Sequence, residues 1–551
     1  MIGSLRLAIS ALRRVAANPD IRRAETAWML SYAAEWAWLV ALFVYAYGVG
    51  GVATVGLAGL VRTLPAGILA PALSSLADRL PRHRVLLGIH AGRGSLVGLA
   101  AINLAMGGPS WVVFVIAALE GLLGVLHRPT YMTLMPSLAR APEELVASNA
   151  ASGTMEGIGT LVGPAVGGIL IALAAPWVTF AVPSVTFFVA AAIALGIRPA
   201  QQLRATPAAE RGWSVMAGGI RAMIQYPHAG WLLGLFGAQI FVRGLLNVLL
   251  VGASVQLLGL GEEGVGLLTA AMGAGGFIGA LLAMTLVGRA RVAPFFTMGL
   301  ILWGTPILII GLLPNAGLAV VVLVVLGIGN AVLDVAGFTL LQRTVPNAVR
   351  GRVFGMLESI VMLGLAAGSV VAPVLVNVLG LQGALIAAGV VLPAAAVLTW
   401  PLVRRTDELA VIPAREMAVL RGVPMLHFLP LTVLEQIAEA AHPARFAAGS
   451  PIIRQGDAGD SFYVLAEGSA AASVDGHTVR HMQAGDSFGE IALLENVPRT
   501  ATVTAETDAE AYLIDRAAFV CAVTGDRQSL AAAQDVIGQR LATEAVEEAA
   551  P

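Results

Sequence analysis

Val55–Arg79 reads VGLAGLVRTLPAGILAPALSSLADR, and Val265–Arg289 reads VGLLTAAMGAGGFIGALLAMTLVGR. The two stretches align without a gap at an offset of 210 residues. The same offset carries Pro136 onto Pro346 and brings Pro164 within one residue of Pro373. A repeat of this length in apolar sequence implies one six-helix unit used twice in the same orientation. Parallel halves of this kind are related by an axis along the membrane normal and place a substrate site between them, near the bilayer midplane.

Composition carries the argument outward. Of 551 residues, 57% are hydrophobic and 12% charged, with a mean hydropathy of +0.82. Soluble domains carry about twice that charge, so one water-soluble domain is excluded, as are disorder, collagen and coiled coil. A crossing helix needs about 20 apolar residues. Such stretches fall near 24–47, 51–77, 85–106, 110–134, 151–174, 176–197, 230–259, 263–287, 294–313, 316–343, 351–378 and 381–403. The breaks after even-numbered spans carry Arg79, Arg82 and Arg84, Arg140, Arg198, Arg289 and Arg291, Arg343 and Arg350, and Arg404 and Arg405; the alternate breaks carry none. Positive loops face the cytoplasm, which puts both chain ends there. Residues 1–20 lack the long apolar core of a cleaved signal; Ile2, Leu5, Ile9 and Leu12 share one face of an expected interfacial helix. All 33 basic residues are arginine, which points to a GC-rich genome and hence a bacterium; the expected location of the apolar part is then the cytoplasmic membrane. The single Cys521 excludes a disulfide framework.

Ionisable groups within spans mark pathways by default, because charge in hydrocarbon is costly. Glu35, Arg62, Arg93, Glu120, Glu156, Arg243, Asp334 and Glu358 qualify. Gln239, Arg243 and Asn247 recur every four residues and form one polar stripe on the seventh helix. Glu35 is the expected proton-titrating carboxylate, against the alternative of an ion pair with an arginine across the cavity. His127 and Arg128 are expected to snorkel at a helix end.

Ser74–Arg84 (SSLADRLPRHR) resembles the cytoplasmic loop motif of the major facilitator superfamily, with Asp78, Arg79 and Arg82 matching and Ser74 and Pro81 replacing glycines. The resemblance covers roughly 20–405 and implies a gating role for Asp78, Arg79 and Arg82. Gly159–Gly168 (GTLVGPAVGG) resembles the signature of exporters that work by antiport, and 341–355 (LQRTVPNAVRGRVFG) a loop of the exporter branch. The resemblance also places Glu120 where many proton-coupled members carry an arginine, a departure from their usual scheme.

Beyond Arg405 the sequence changes character. Residues 1–414 hold 24 Arg against 15 acidic groups, or +9; residues 415–551 hold 9 against 19, or −10. Short helical patterns at 416–428 and 430–441 precede alternating runs turned at Gly449, Gly456, Gly459, Gly468, Gly476 and Gly485, the pattern of a small jelly roll. Helices resume at 516–522 and 527–543.

Ser487–Val503 (SFGEIALLENVPRTATV) opens with a glycine turn and a helix start, whose free N–H groups hold anions. Arg499 follows Glu490 by nine residues and can grip a phosphate at two points; Glu490 can accept from a ribose hydroxyl. The stretch resembles the phosphate-binding cassette of cyclic nucleotide-binding domains, a resemblance that extends over 416–543. It implies that Arg499 holds the cyclic phosphate and Glu490 the 2′-hydroxyl, that Gly489, Ile491 and Ala492 offer backbone N–H groups, and that Thr500 touches the base. Leu530, Val536, Ile537 and Leu541 would lie on a lid helix or simply pack against the barrel.

The sequence therefore predicts an α-helical polytopic membrane protein of twelve spans in two six-helix pseudo-repeats, followed by a β jelly roll with flanking helices. The expected divisions are 1–20, 21–197, 198–229, 230–405, 406–415, 416–543 and 544–551. The expected function is gradient-driven export of a small molecule, by proton antiport, under control of cAMP or cGMP. A receptor whose membrane part no longer transports and signals to a partner, and a lipid flippase, stand as alternatives. No phosphate-binding loop for nucleotide hydrolysis occurs, since the chain has no lysine, and no enzyme activity, metal or nucleic-acid partner is expected. Monomer and dimer stay open.

Overall fold

The computed structural model describes residues 17–77, 80–139, 142–198, 221, 225–283, 291–345, 347–409, 414–429, 431–524 and 527–548. Two compact units emerge, one from the helices up to Ala410 and one from Val411 onward. The expected terminal helix at 1–12 and the loop residues Asp78 and Arg79 lie outside the described residues.

The first unit is all helix. In chain order it contains α1 (Pro19–Ala77), α2 (Arg82–Ala105), α3 (Ser110–Gly124), α4 (His127–Leu138), α5 (Pro142–Leu173), α6 (Pro176–Ala194), α7 (Pro227–Gly252), α8 (Gly264–Ala283), α9 (Ala293–Leu312), α10 (Ala316–Thr344) and α11 (Asn347–Leu409). A π-turn, Ala253–Leu257, extends α7. Two apolar stretches, Pro19–Ala70 and Val353–Thr406, are 52 and 54 residues long. At 1.5 Å per residue each would reach about 80 Å, against about 30 Å of hydrocarbon. Both are broken once. Gly51 turns with φ +65° after a non-helical Gly50, and Gly380 turns with φ +70°, a region open chiefly to glycine. Each long element is thus two crossings. With α3 and α4 forming one, the described residues hold twelve, as the sequence predicts.

The repeat reappears as packing. Apolar helices gain nothing in lipid from burying leucine against leucine, so close backbone approach through small residues supplies the contact. A Cβ on Gly56 would lie 2.5 Å from the Ser369 carbonyl and 2.6 Å from Pro373. A Cβ on its repeat mate Gly266 would lie 2.4 Å from the Gly168 Cα and 2.6 Å from the Pro164 carbonyl. The second crossing of each half therefore meets the fifth crossing of the other, at the proline the repeat aligns. Gly163 meets the Ala33 carbonyl of α1 on its other side, at 2.4 Å for an added Cβ. Gly266→Val is expected to lower the unfolding free energy by about 1–3 kcal/mol, the usual penalty of overpacking, because the obstructing atoms are backbone. Thermal unfolding of the detergent-solubilised full chain reads it, and an unchanged midpoint would show that the two helices do not meet there.

The second unit opens with α12 (Ala414–Gly422) and α13 (Leu431–Ala440), closes with α15 (Arg516–Thr524) and α16 (Arg527–Glu548), and holds eight strands between. These are β1 (His442–Phe446), β2 (Pro451–Ile453), β3 (Ser461–Glu467), β4 (Ser469–Val474), β5 (His477–Gln483), β6 (Ser487–Phe488), β7 (Thr502–Ala505) and β8 (Ala509–Asp515), with α14 (Glu490–Leu494) after β6. They form two antiparallel four-stranded sheets, β1-β8-β3-β6 and β2-β7-β4-β5. Strand β3 is buried on both faces. Phe462 and Val464 point to the core shared with the helices, where Phe462 stacks on Phe519 at 4.1 Å, while Tyr463 and Leu465 fill the space between the sheets. Helices on one side and a sheet on the other remove the polar alternation an exposed strand would show. The β4–β5 hairpin turns on Asp475-Gly476, both at positive φ, as such two-residue turns require. Gly459 is the one expected turn glycine that is not left-handed; its requirement is space, since a Cβ there would lie 2.7 Å from the Ala492 Cβ.

Candidate functional site

In the second unit, β6 ends at Phe488 and the chain must reverse into α14. Gly489 makes the turn at φ +91°, and a Cβ on it would strike the Arg499 guanidinium at 2.6 Å. The turn opens onto a cavity of about 380 Å³, within the range of small-molecule sites. Its charged lining consists of Arg480, Asp486, Glu490, Arg499 and Arg540. Two arginines are answered by carboxylates: Arg480 by Asp486 at 2.9 Å, and Arg540 by Glu490 at 2.6 Å. Arg499 is not. It is 4% exposed and donates to the Gly489 carbonyl at 3.0 Å and the Ser461 carbonyl at 2.8 Å. Its nearest carboxylate, on the exposed Asp460, is 3.6 Å away, beyond hydrogen-bond range. Burial lowers the pKa of Arg499 from its ordinary value, with Tyr463 and Asp460 acting in the opposite sense. A nearly buried guanidinium held by neutral carbonyls in a cavity of net charge +1 suits one monoanion.

Glu490 is fully buried at the start of α14, and its Oε1 has no hydrogen-bond partner among the described residues. Ile491, Ala492 and Thr500 also line the cavity, as the cassette reading expects. Of the four lid candidates, Val536 lines the cavity, Ile537 is buried, and Leu530 packs against the helical core. The side chain of Leu541 lies outside the described residues.

The residue that sequence reading missed is Arg540. It stands one helical turn after Val536 on α16 and also donates to the Ser487 carbonyl at 2.8 Å. The signal was the i, i+4 spacing from Val536, which puts a base on the face turned to the cavity.

In the first unit, four of the intramembrane charges meet. Arg62 Nη2 lies 2.8 Å from Glu35 Oε1, and its Nε 3.0 Å from Glu120 Oε2. Arg93 Nη2 lies 3.1 Å from Glu35 Oε2 and 2.5 Å from Glu120 Oε1, and its guanidinium sits 4.5 Å over the Phe187 ring. Trp38 Nε1 donates to Glu120 Oε2 at 3.2 Å. The cluster is neutral and graded in exposure: Arg93 and Glu120 have none, while the side chains of Arg62 and Glu35 keep 14% and 22%. Glu35 is thus ion-paired with two arginines at the accessible edge.

In the second half, Trp303 Nε1 donates to Asn330 Oδ1 at 2.9 Å, Asn330 Nδ2 to Asp334 Oδ2 at 2.9 Å, and Gln239 Nε2 to Asn330 Oδ1 at 3.4 Å. Gln239 is buried, and Arg243 and Asn247 on the same stripe are half-buried. Arg243 has Glu156 of α5 and Asp334 of α10 as charged neighbours. Arg82 Nη1 donates to Thr133 at 2.6 Å. His127 departs from expectation. It does not snorkel but is 2% exposed, because the neighbouring chain segments fold over it and pack Trp28 4.6 Å and His90 5.1 Å from its ring.

Twelve crossings in two interlocked halves, with a buried ion cluster inside the first, define a membrane transporter fold; the jelly roll adds a cavity lined by a nearly buried guanidinium. The Major Facilitator Superfamily model matches residues 26–261 and again 232–466, and the cyclic nucleotide-binding domain model matches 443–523. The chain belongs to the Major Facilitator Superfamily and carries a C-terminal cyclic nucleotide-binding domain. Over 102 residues it is 41% identical to a cAMP-dependent protein kinase regulatory subunit of Colletotrichum orbiculare, covering 18% of this chain and 26% of that one. Over 70 residues it is 47% identical to a cGMP-dependent protein kinase of Toxoplasma gondii, covering 13% and 7%. The chain spans about a quarter of the length of the first of these relatives. Among solved structures, the regulatory domain of Toxoplasma gondii PKA with cAMP is similar at 27% identity, over 27% of this chain and 55% of that one, with a TM-score of 0.21.

Proposed function

We propose that this chain is a gradient-driven exporter of a small molecule, coupled to protons by antiport and regulated by a cyclic nucleotide bound in its C-terminal domain. The observation that carries the regulatory part is Arg499, a nearly buried guanidinium beneath the Gly489 turn whose ion-pair partner is the solvent-exposed Asp460, at 3.6 Å. A cyclic phosphate would take that place, the N–H groups of Gly489, Ile491 and Ala492 would complete its shell, and Thr500 would face the base. The similarity to regulatory subunits named for cAMP and to a kinase named for cGMP supports a cyclic nucleotide without choosing between the two.

Glu490 links binding to motion. Its carboxylate now holds Arg540 of α16 at 2.6 Å through Oε2, while Oε1 has no partner among the described residues. A ribose 2′-hydroxyl would share that carboxylate with Arg540 and weaken its hold, and α16 is the element whose position would differ between empty and filled states. A ligand shifts such a balance only by unequal affinity for its two positions. Calorimetry of the full chain in detergent with cAMP and with cGMP tests the site, and no heat with either would overturn it. Arg540→Gln is expected to bind nucleotide several-fold tighter, since the ribose hydroxyl would no longer share the Glu490 carboxylate with a cation, an effect of about 1 kcal/mol. Weaker binding would mean that Arg540 serves the ligand directly.

For transport, Glu35, Arg62, Arg93 and Glu120 supply the coupling centre, with Glu35 as the proton acceptor. Gln239, Arg243, Asn247 and Asp334 would supply the polar groups of the second half, and Asp78, Arg79 and Arg82 would serve the gate. Protonation of Glu35 would free Arg62 from one of its two partners at the edge that retains exposure. Glu35→Gln in proteoliposomes is expected to leave cargo flux downhill but insensitive to an imposed pH gradient. Retained gradient-driven flux in that variant would move coupling to another carboxylate.

A further inference from the structure

The repeat permits a comparison the molecule makes with itself. Arg93 and Glu120, joined between α2 and α3, fall at offset 210 on Trp303 and Asn330, joined between α9 and α10. The same hydrogen bond is therefore built twice, once with charge and once without, which fixes the correspondence of these helices residue by residue. On that register His90 corresponds to Leu300, His127 to Gly337 and Tyr131 to Leu341. Leu300 and Leu341 are fully buried in the second half, as His90 and Tyr131 are in the first. The fold thus closes without polar groups at these positions. A buried polar group without a partner is costly, and in the first half the cost is real: both ring nitrogens of His90 and Nε2 of His127 have no hydrogen bond among the described residues.

We propose that His90 and His127 form a proton-accepting pair specific to the first half, neutral in the packed arrangement and charged when these helices separate. The inference rests on the proton-coupled reading above. The two imidazoles meet edge to face at 5.1 Å. On one side stands Arg93, one turn along α2 from His90 and paired with Glu120 and Glu35. On the other, His127 packs on Trp28, which stacks on Tyr131 at 4.0 Å. The Tyr131 hydroxyl lies 2.9 Å from Ser152 Oγ, and Ser152 donates to Glu25 at 2.8 Å, whose second oxygen has no hydrogen bond among the described residues. Tyr32 approaches His127 from α1 at 6.1 Å. A carboxylate thus lies beyond the pair in each direction, Glu120 behind Arg93 and Glu25 behind Tyr131, and neither touches the imidazoles. Among the described residues an imidazolium finds no acceptor at either nitrogen of His90 or at His127 Nε2, so charging the pair disfavours this arrangement and favours one that admits water.

Trp28 reports on the pair directly, because an imidazolium against an indole quenches its emission more than a neutral ring does. The full chain in lipid nanodiscs is titrated over the range about pH 5 to 8 in which histidine changes charge, and the same titration on Trp28→Phe is subtracted to leave the signal of Trp28. The expected result is a reversible loss of Trp28 emission on acidification. It should be absent in His127→Gln and displaced in pH in His90→Leu, the residue the second half itself uses. A flat Trp28 signal in folded protein, or a titration that survives His127→Gln, overturns the proposal. The readout needs no cargo. A titrating pair in a protein whose flux ignores a pH gradient would refute proton coupling and leave the switch, whereas gradient-driven flux with a silent pair would refute the switch alone.

Discussion

Arg499→Ala lowers the affinity of the full chain for cyclic nucleotide by two to three orders of magnitude, or abolishes it within the range of calorimetry. Removing one member of a buried, charge-assisted contact costs about 2–5 kcal/mol, much of it from leaving the other charge without a partner, and each 1.4 kcal/mol is about tenfold. The upper part of that range applies. The phosphate would lose the one cavity guanidinium, among the described residues, whose carboxylate partner is held loosely and in solvent, since Arg480 and Arg540 are held closely by Asp486 and Glu490. Arg499 also ties the Gly489 and Ser461 carbonyls together, so its loss loosens the turn that aims the N–H groups. Arg499→Lys separates the two effects: it keeps a charge but offers no planar fork, and should recover part of the affinity. Unchanged binding in Arg499→Ala would remove this residue from the site.

The cassette could be read from sequence because it is nearly contiguous: Gly489 and Glu490 open one short helix and Arg499 follows in the loop beyond it, so local order already brings them together. The repeat was legible for a related reason. Its glycines and prolines are demanded by backbone contacts that both halves must make, as at Gly56 and Gly266. The four-charge cluster was legible only as separate warnings. Glu35 and Arg62 come from the two crossings of α1, Arg93 from α2 and Glu120 from α3, and nothing in the order of residues says that these four converge. Sequence left open whether Glu35 pairs with an arginine; the packing of three helices supplies two. His127 was misjudged for the opposite reason. Its place near a helix end suggested solvent, but Trp28 and His90 come from other helices to cover it. Arg540 stands fifty residues beyond Glu490, and only the return of α16 across the jelly roll makes them partners.

The largest effect on stability is expected at the centre of that cluster. Glu120 accepts from Arg93, Arg62 and Trp38 while wholly buried. Glu120→Ala would leave two guanidinium groups facing Glu35 alone, one of them, Arg93, without any exposure. Breaking a buried pair by removing one partner costs about 3–5 kcal/mol, whereas replacing both partners by apolar groups of similar size is often nearly neutral. Arg93→Met/Glu120→Leu should therefore be far more stable than Glu120→Ala, with a coupling energy of about 1–3 kcal/mol between the two sites. The second half shows that the position tolerates a neutral solution, because Trp303 and Asn330 make the same connection. In the double variant Arg62 and Glu35 keep each other at the accessible edge, so the remaining pair stays balanced. Thermal unfolding of Arg93→Met, Glu120→Leu, their double variant and the parent chain in detergent completes the cycle, with Glu120→Ala measured beside it. The coupling should be insensitive to added salt, as a pair shielded from solvent is little screened. Simple additivity of the two changes would show that Arg93 and Glu120 are not the partners this structure makes them.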